Sequence, residues 1–238
     1  MRGLIAVSLT VLLLAACATP RSATTGRAPA QNFGAAQLAK SDIDRIIEAH
    51  QRELFATLKL VTEKLYKRNP KEWRKDGWQS ADEPLTRLFG SRHNWRFPEL
   101  KGQFGSDAIL MALREDYPGD RVFALSAGLG GMLLAAFGDK DEFYMLDDVD
   151  PQKLYNAARN IEIAVWKLSN AKSSGGELLL LSNDPGPPAN LSFEREFGRA
   201  IGNLDLLSGL IADKTNRTLV KVVQSFASAV FLPVAVLK

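Results

Sequence analysis

Cysteine is almost absent from this chain: Cys17 stands alone among 238 residues. An intrachain disulfide and a zinc site built from cysteines are both excluded. Histidine is nearly as scarce, with only His50 and His93. No His-Glu-x-x-His occurs, and no third ligand stands in helical register with either ring, so no metal site is expected. A surplus of one charge is also lacking, since 30 basic and 27 acidic groups leave a formal net charge of +3. That balance gives no reason to expect a nucleic-acid partner. Phosphate-cradling loops, the Gly-x-Ser-x-Gly elbow and a dinucleotide fingerprint behind a strand are missing too, and no cofactor is expected.

What remains is globular in composition, 46% hydrophobic and 24% charged. A chain of this kind is too apolar for disorder, too charged for a polytopic membrane protein, and long enough for one sizeable core or two small ones.

The chain opens on Arg2, followed by an uncharged run from Gly3 to Ala16. A short basic start and an apolar stretch below bilayer-spanning length suit a secretory signal segment. The run closes on Leu14-Ala15-Ala16-Cys17, which resembles the lipobox of bacterial lipoproteins. The resemblance covers little more than these residues, but the chain's only cysteine stands where the motif requires one. It implies a signal peptide over 1–16, diacylglycerol on the Cys17 sulfur, and a mature chain acylated on its new amino group. Several acyl chains anchor stably where one alone would be marginal. Ala18 is not the Asp that retains enteric-type lipoproteins at the inner membrane. The resemblance therefore implies the outer membrane, facing the periplasm, with the lipid holding the protein to the bilayer.

Ala18 to Gln37 is rich in Ala, Thr, Pro and Gly and has no hydrophobic period, as expected of a flexible tether. Fully extended, about twenty residues reach roughly 60–70 Å. The predicted organisation is a signal peptide over 1–16, a lipidated cysteine and tether over 17–40, and a mainly α, bundle-like single domain over 41–238.

Within that domain, Ser41 with Asp44 predicts a capping box, and Ile43, Ile47, His50, Leu54, Leu58, Val61 and Leu65 continue an amphipathic helix to about Arg68. Ser80 and Glu83 predict a short helix ending near Gly90, and Ser106–Glu115 another, with Pro118 just inside the next start. Asp150-Pro151 is an N-cap and first-turn pair, ahead of a face formed by Leu154, Ala157, Ala158, Ile161, Ala164, Val165 and Leu168. Further helices are predicted at Phe193–Ala212 and Thr215–Leu232. The leucine run within Glu177–Ser182 has no partner strands and reads as a buried extended piece or a helix turn.

Val122–Gly138 holds seventeen uncharged residues, about 26 Å as a helix and short of a bilayer core. Three glycines and Ser126 favour a helix buried inside a bundle over one inserted in a membrane. Ala127, Gly131 and Ala135 share one line of that helix. They predict a close helix crossing, with the Asp150 helix as partner. The uncharged C-terminal run Val222–Leu237 reads the same way.

Lys64, Lys67, Arg68, Lys71, Arg74 and Lys75 interleave with Tyr66, Trp73 and Trp78 in the one basic patch. It suits a contact with a membrane or partner protein, or equally a charged helix end with packed tryptophans. The acidic stretch from Asp139 to Asp150 lacks the spacing of a calcium loop and reads as a solvated connection ending in a cap. His50 is expected as a hydrogen-bonded core residue and His93 at the surface. Ser169-x-x-Lys172 ends a helix instead of starting one and is a chance match to the penicillin-binding pattern.

These readings converge on a lipid-anchored envelope protein, a non-enzymatic scaffold or accessory subunit of a membrane complex with an envelope protein as its partner. Two alternatives differ in class. One is a module for lipid or another apolar ligand with Val122–Phe137 as cavity wall. The other is a hydrolase using carboxylates such as Glu194 and Glu196, which residues two apart on a helix serve poorly because they do not share a face.

Overall fold

The structure, a computed structural model, describes residues 40–234. The expected signal peptide, Cys17 and the expected tether up to residue 39 lie outside the described residues. Seven α-helices are found among them: α1 Asp42–Arg68, α2 Glu72–Lys75, α3 Asp82–Phe89, α4 Ser106–Ala112, α5 Arg121–Ala136, α6 Pro151–Asn170 and α7 Ser192–Thr215. A single 3-10 turn spans Pro98–Leu100. Extended chain meets only in two isolated antiparallel bridges, Lys172 with Leu178 and Asp184 with Asn190, so the described residues are mainly α with no strand.

α1 begins as its sequence requires. The Ser41 N–H donates to Asp44 Oδ2 at 2.7 Å and the Asp44 N–H to Ser41 Oγ at 3.4 Å, completing the capping box. Two of the four orphan donors at the helix start are thereby satisfied. Asp150 caps α6 by accepting from the Gln152 N–H at 2.9 Å, and Pro151 occupies the first turn, where its missing donor costs nothing.

The four long helices run alternately up and down. Thr62 donates to Ser126 Oγ at 2.9 Å and Tyr66 to Asp120 at 2.8 Å, which sets α5 antiparallel to α1. Lys64 reaches the Ser192 carbonyl and His50 the Asn203 amide, so α7 is antiparallel to α1 as well. Arg159 with Asp205 and Asp148 with Arg217 set α6 antiparallel to α7. All sixteen residues of α5 are buried, so it has no solvent face and forms the centre of the bundle. Among the described residues no helix is long and apolar enough to cross a membrane.

Three boundaries depart from the sequence reading. α4 stops at Ala112, because the buried Arg121 guanidinium takes the carbonyls of Ala112, Arg114 and Glu115 and ends the helical ladder there. Pro118 lies ahead of α5, whose N-cap is Asp120. The helix expected at Thr215–Leu232 does not form: α7 runs on to Thr215, turns at Asn216 with φ +51°, and the chain continues without regular structure.

That non-helical chain still has to satisfy its backbone. Side-chain amides on helices do it, donating to the carbonyl and accepting from the N–H of a single residue as a neighbouring strand would. Gln152 holds Val220 in this way at 3.1 and 2.8 Å, and Asn160 holds Leu232 at 2.8 and 2.6 Å. Asn156, between them on the same face of α6, donates to the Pro233 carbonyl at 2.8 Å. Asn69 at the end of α1 grips Leu181 with two further bonds. The leucine run is therefore extended, with Leu180 buried while Leu178 and Leu181 are exposed.

Candidate functional site

Ionisable side chains gather where α1 ends and α5 begins. α2 is a single turn after Pro70, and it brings Glu72 and Asp76 beneath the start of α5. Glu72 accepts from the Arg121 N–H at 2.9 Å and from Lys75 Nζ at 2.7 Å. Asp76 accepts from the Asp120 N–H at 3.2 Å. Asp120 is fully buried; its Oδ1 takes the Phe123 N–H at 2.9 Å and its Oδ2 the Tyr66 hydroxyl at 2.8 Å.

Burial pushes the Asp120 carboxyl up to about 7, against the two hydrogen bonds that favour its charged form and with help from Glu72 and Asp76. Burial, then the carboxylates around it, raises the Tyr66 hydroxyl and pushes Tyr117 up to about 12. Glu72, Asp76, Asp120 and Tyr66 each hold a backbone N–H or a neighbouring side chain, so these groups act on the fold itself. Among the described residues, no group of three or more His, Cys, Asp or Glu side chains is placed to hold a metal.

Tyr66 also forms part of the wall of an open groove of about 470 Å³, with Glu63, Lys67, Pro70, Trp73, Ala81, Asp82 and Leu85. A second hollow of about 290 Å³ adjoins it through Glu63, Asp82 and Leu85. Both lie between the C-terminal half of α1 and the α2–α3 region. The cores of α5 and α6 line neither, so Val122–Phe137 is packed core and not the wall of either cavity.

The basic patch is divided by this architecture. Lys64 is pinned to the Ser192 carbonyl and buried Glu196 and sits over the Phe193 ring. Arg68 pairs with Asp184 at 3.6 Å, and Lys75 with Glu72. Arg74 lies 4.6 Å over the half-buried Trp73 ring, while Lys67 and Lys71 are exposed. Trp78 is half-buried, its ring nitrogen shielded from solvent. Of the residues in the predicted patch, Tyr66, Lys67 and Trp73 meet at the groove.

Ala127, Gly131 and Ala135 are all buried in α5. The close neighbour of Gly131 is not the Asp150 helix: a Cβ there would come within 2.6 Å of the Phe104 ring. Gly128 similarly faces Gly105 and Ile109, and Gly130 faces the Trp95 ring. Gly130 and Gly131 admit the aromatic segment ahead of α4 and Gly128 admits the start of α4 itself, because each offers bare backbone where a side chain would collide. Trp95 itself takes φ +58° and stacks on Phe55 at 5.5 Å.

His50 is half-buried and bonded to Asn203 at 2.6 Å. His93 is also half-buried: its Nδ1 accepts from the Trp95 N–H at 3.0 Å, which makes Nε2 the protonated nitrogen that donates to the Leu88 carbonyl at 2.7 Å. Both rings brace loops and helices. Glu194 bonds Asn183, while Glu196 is buried beside Lys64, Arg195 and Arg199, so the two carboxylates do not converge. The acidic stretch is a helix–helix connection, with Asp147 paired to Lys140 and Asp148 to Arg217.

Sequence reasoning missed Tyr66 and Asp120 as a pair. An Asp directly before an apolar run was the available signal for the cap, whereas its tyrosine partner lies 54 positions away. Comparison of the chain with family models, with characterised proteins and with solved structures gives no match.

Proposed function

We propose that this chain is a lipid-anchored protein of the bacterial cell envelope, held at the outer membrane facing the periplasm and serving as a scaffold or accessory subunit of a membrane complex. The observation that carries the reading is Leu14-Ala15-Ala16-Cys17 behind a short apolar segment, with the only cysteine of the chain at the acceptor position. A bundle whose buried ionisable groups are committed to capping and cross-bracing supports the scaffold role. The groove at Lys67 and Trp73, open to solvent and flanked by exposed Lys71, is the surface offered to the envelope partner.

The test is metabolic labelling with palmitate in a bacterial host. The natural chain takes up label and is processed before Cys17. Cys17→Ser takes up none and persists as a full-length precursor, and globomycin reproduces that precursor with the natural chain. Label on Cys17→Ser, or processing that ignores globomycin, would sink the anchor. Isolation of the complex in mild detergent then reads the partner, whose recovery should fall on Trp73→Ala with Lys67→Glu.

A further inference from the structure

The alternating helices bring three chain positions to one end of the bundle: the start of α1, the start of α6 and the end of α7. Two loops finish that end. Residues 139–144 travel along α1 toward its start, with the Lys140 carbonyl on Gln51, the Phe143 N–H on Glu48 and the Tyr144 ring under Lys40 Nζ at 5.0 Å. The second loop leaves α7, is tied to the first by Arg217 on Asp148 at 2.6 Å, and is fixed by the two Gln152 bonds to Val220.

Among the described residues, the five most exposed large apolar side chains are Val230 at 67% and four that stand here: Met145 at 67%, Leu146 at 97%, Val220 at 67% and Val223 at 98% of full exposure. The loops that carry them are bonded in place, so these are held outward. Asp147 is paired with Lys140 and Asp148 with Arg217, while Lys221, between Val220 and Val223, is exposed.

We propose that this end is a bilayer-contacting face, with Met145, Leu146, Val220 and Val223 seated among lipid headgroups and acyl-chain ends. The inference rests on the lipid-anchor reading, which it deepens. The described chain begins here, at Lys40, and the residues back to Cys17 cannot span more than about 80 Å. A tether that short keeps this end at high effective concentration beside the membrane, so shallow contacts suffice. Apolar tips on two loops suit an interface better than a protein groove, and exposed Lys221 between Val220 and Val223 is placed to meet the headgroups. The basic patch lies at the opposite end and faces away from the bilayer.

The test uses the full chain carrying Leu146→Cys or Val223→Cys, reconstituted in phosphatidylethanolamine vesicles with a minority of phosphatidylglycerol. Leu191→Cys, exposed at the far end, is the control. Each thiol carries a polarity-sensitive fluorophore. Acylation consumes Cys17, so one label per chain reports the anchor separately from the face. Two labels per chain mean the anchor reading has failed, and the same probes on Cys17→Ser chains added to vesicles then decide the face alone. The expected result is a blue shift and quenching by headgroup spin labels at positions 146 and 223, with position 191 unchanged. Water-like emission at both positions overturns the proposal. So does shielding that occurs in native membranes but not in vesicles, which would mean that a protein covers this end.

Discussion

Tyr66 donates its hydroxyl to Asp120 Oδ2 at 2.8 Å while the other oxygen of the same carboxyl caps α5 through the Phe123 N–H. One buried carboxyl thus joins the longest helix to the most buried one. Its folded value stands near 7, raised chiefly by burial above the ordinary 3.8. The folded state therefore binds more protons than the unfolded chain between those values, and stability falls as pH rises through that window. The bundle should melt several degrees higher at mildly acidic than at mildly alkaline pH, and Asp120→Asn, which keeps the cap acceptor, should remove most of the difference. Thermal melts of both proteins at two pH values check this.

Tyr66→Phe removes only the donor. Asp120 then loses one of its two partners within the core, at a cost of about 1–3 kcal/mol. Urea unfolding should show a lower midpoint with an unchanged slope, since the buried surface stays the same.

Glycines in two helices should respond in opposite directions. A Cβ at Gly130 would overlap the Trp95 ring at 2.2 Å, and Gly131→Leu would press on Phe104. Each substitution should lower stability by about 1–3 kcal/mol or more, against at most about 1 kcal/mol of gained helix propensity. Gly198 and Gly202 of α7 meet nothing within 4 Å, so alanine there gains the propensity unopposed and should raise the melting temperature. Calorimetry on the four variants tests the contrast.

Asn160→Ala deletes both bonds to the Leu232 backbone. The bundle should stay folded while amide exchange and protease cleavage rise over 216–234. Equal protection in the variant would mean that apolar packing of Val234 and Ala229, both buried, holds the segment by itself.

Local signals carried much of the architecture. The Ser41–Asp44 box, the Asp150-Pro151 start and the unbroken apolar run of α5 each act within a few residues, and each element appears where its signal stands. Thr215–Leu232 reads as helix, but Val220 and Leu232 take their backbone partners from amides on α6 some 70 positions earlier, and nothing local announces them. The basic patch is divided for a similar reason. The carboxylates that take Lys64 and Arg68, Glu196 and Asp184, arrive only when α7 and the loop before it fold back. Gly131 marked a close approach, but its neighbour was an aromatic loop residue instead of a second helix.

α5 also bears on how the protein is made. Its cover comes from both directions along the chain, from α1 and α4 ahead of it and from α6 behind it. A chain threaded N-terminus first across a membrane would deliver this helix, uncharged after Arg121, well before α6 could close over it. During that interval fifteen uncharged residues, Val122–Ala136, would stand open to aggregation. Export of this protein would therefore call for a holding chaperone at one defined stage: chains truncated after Gly138 should bind one, and full-length chains should not.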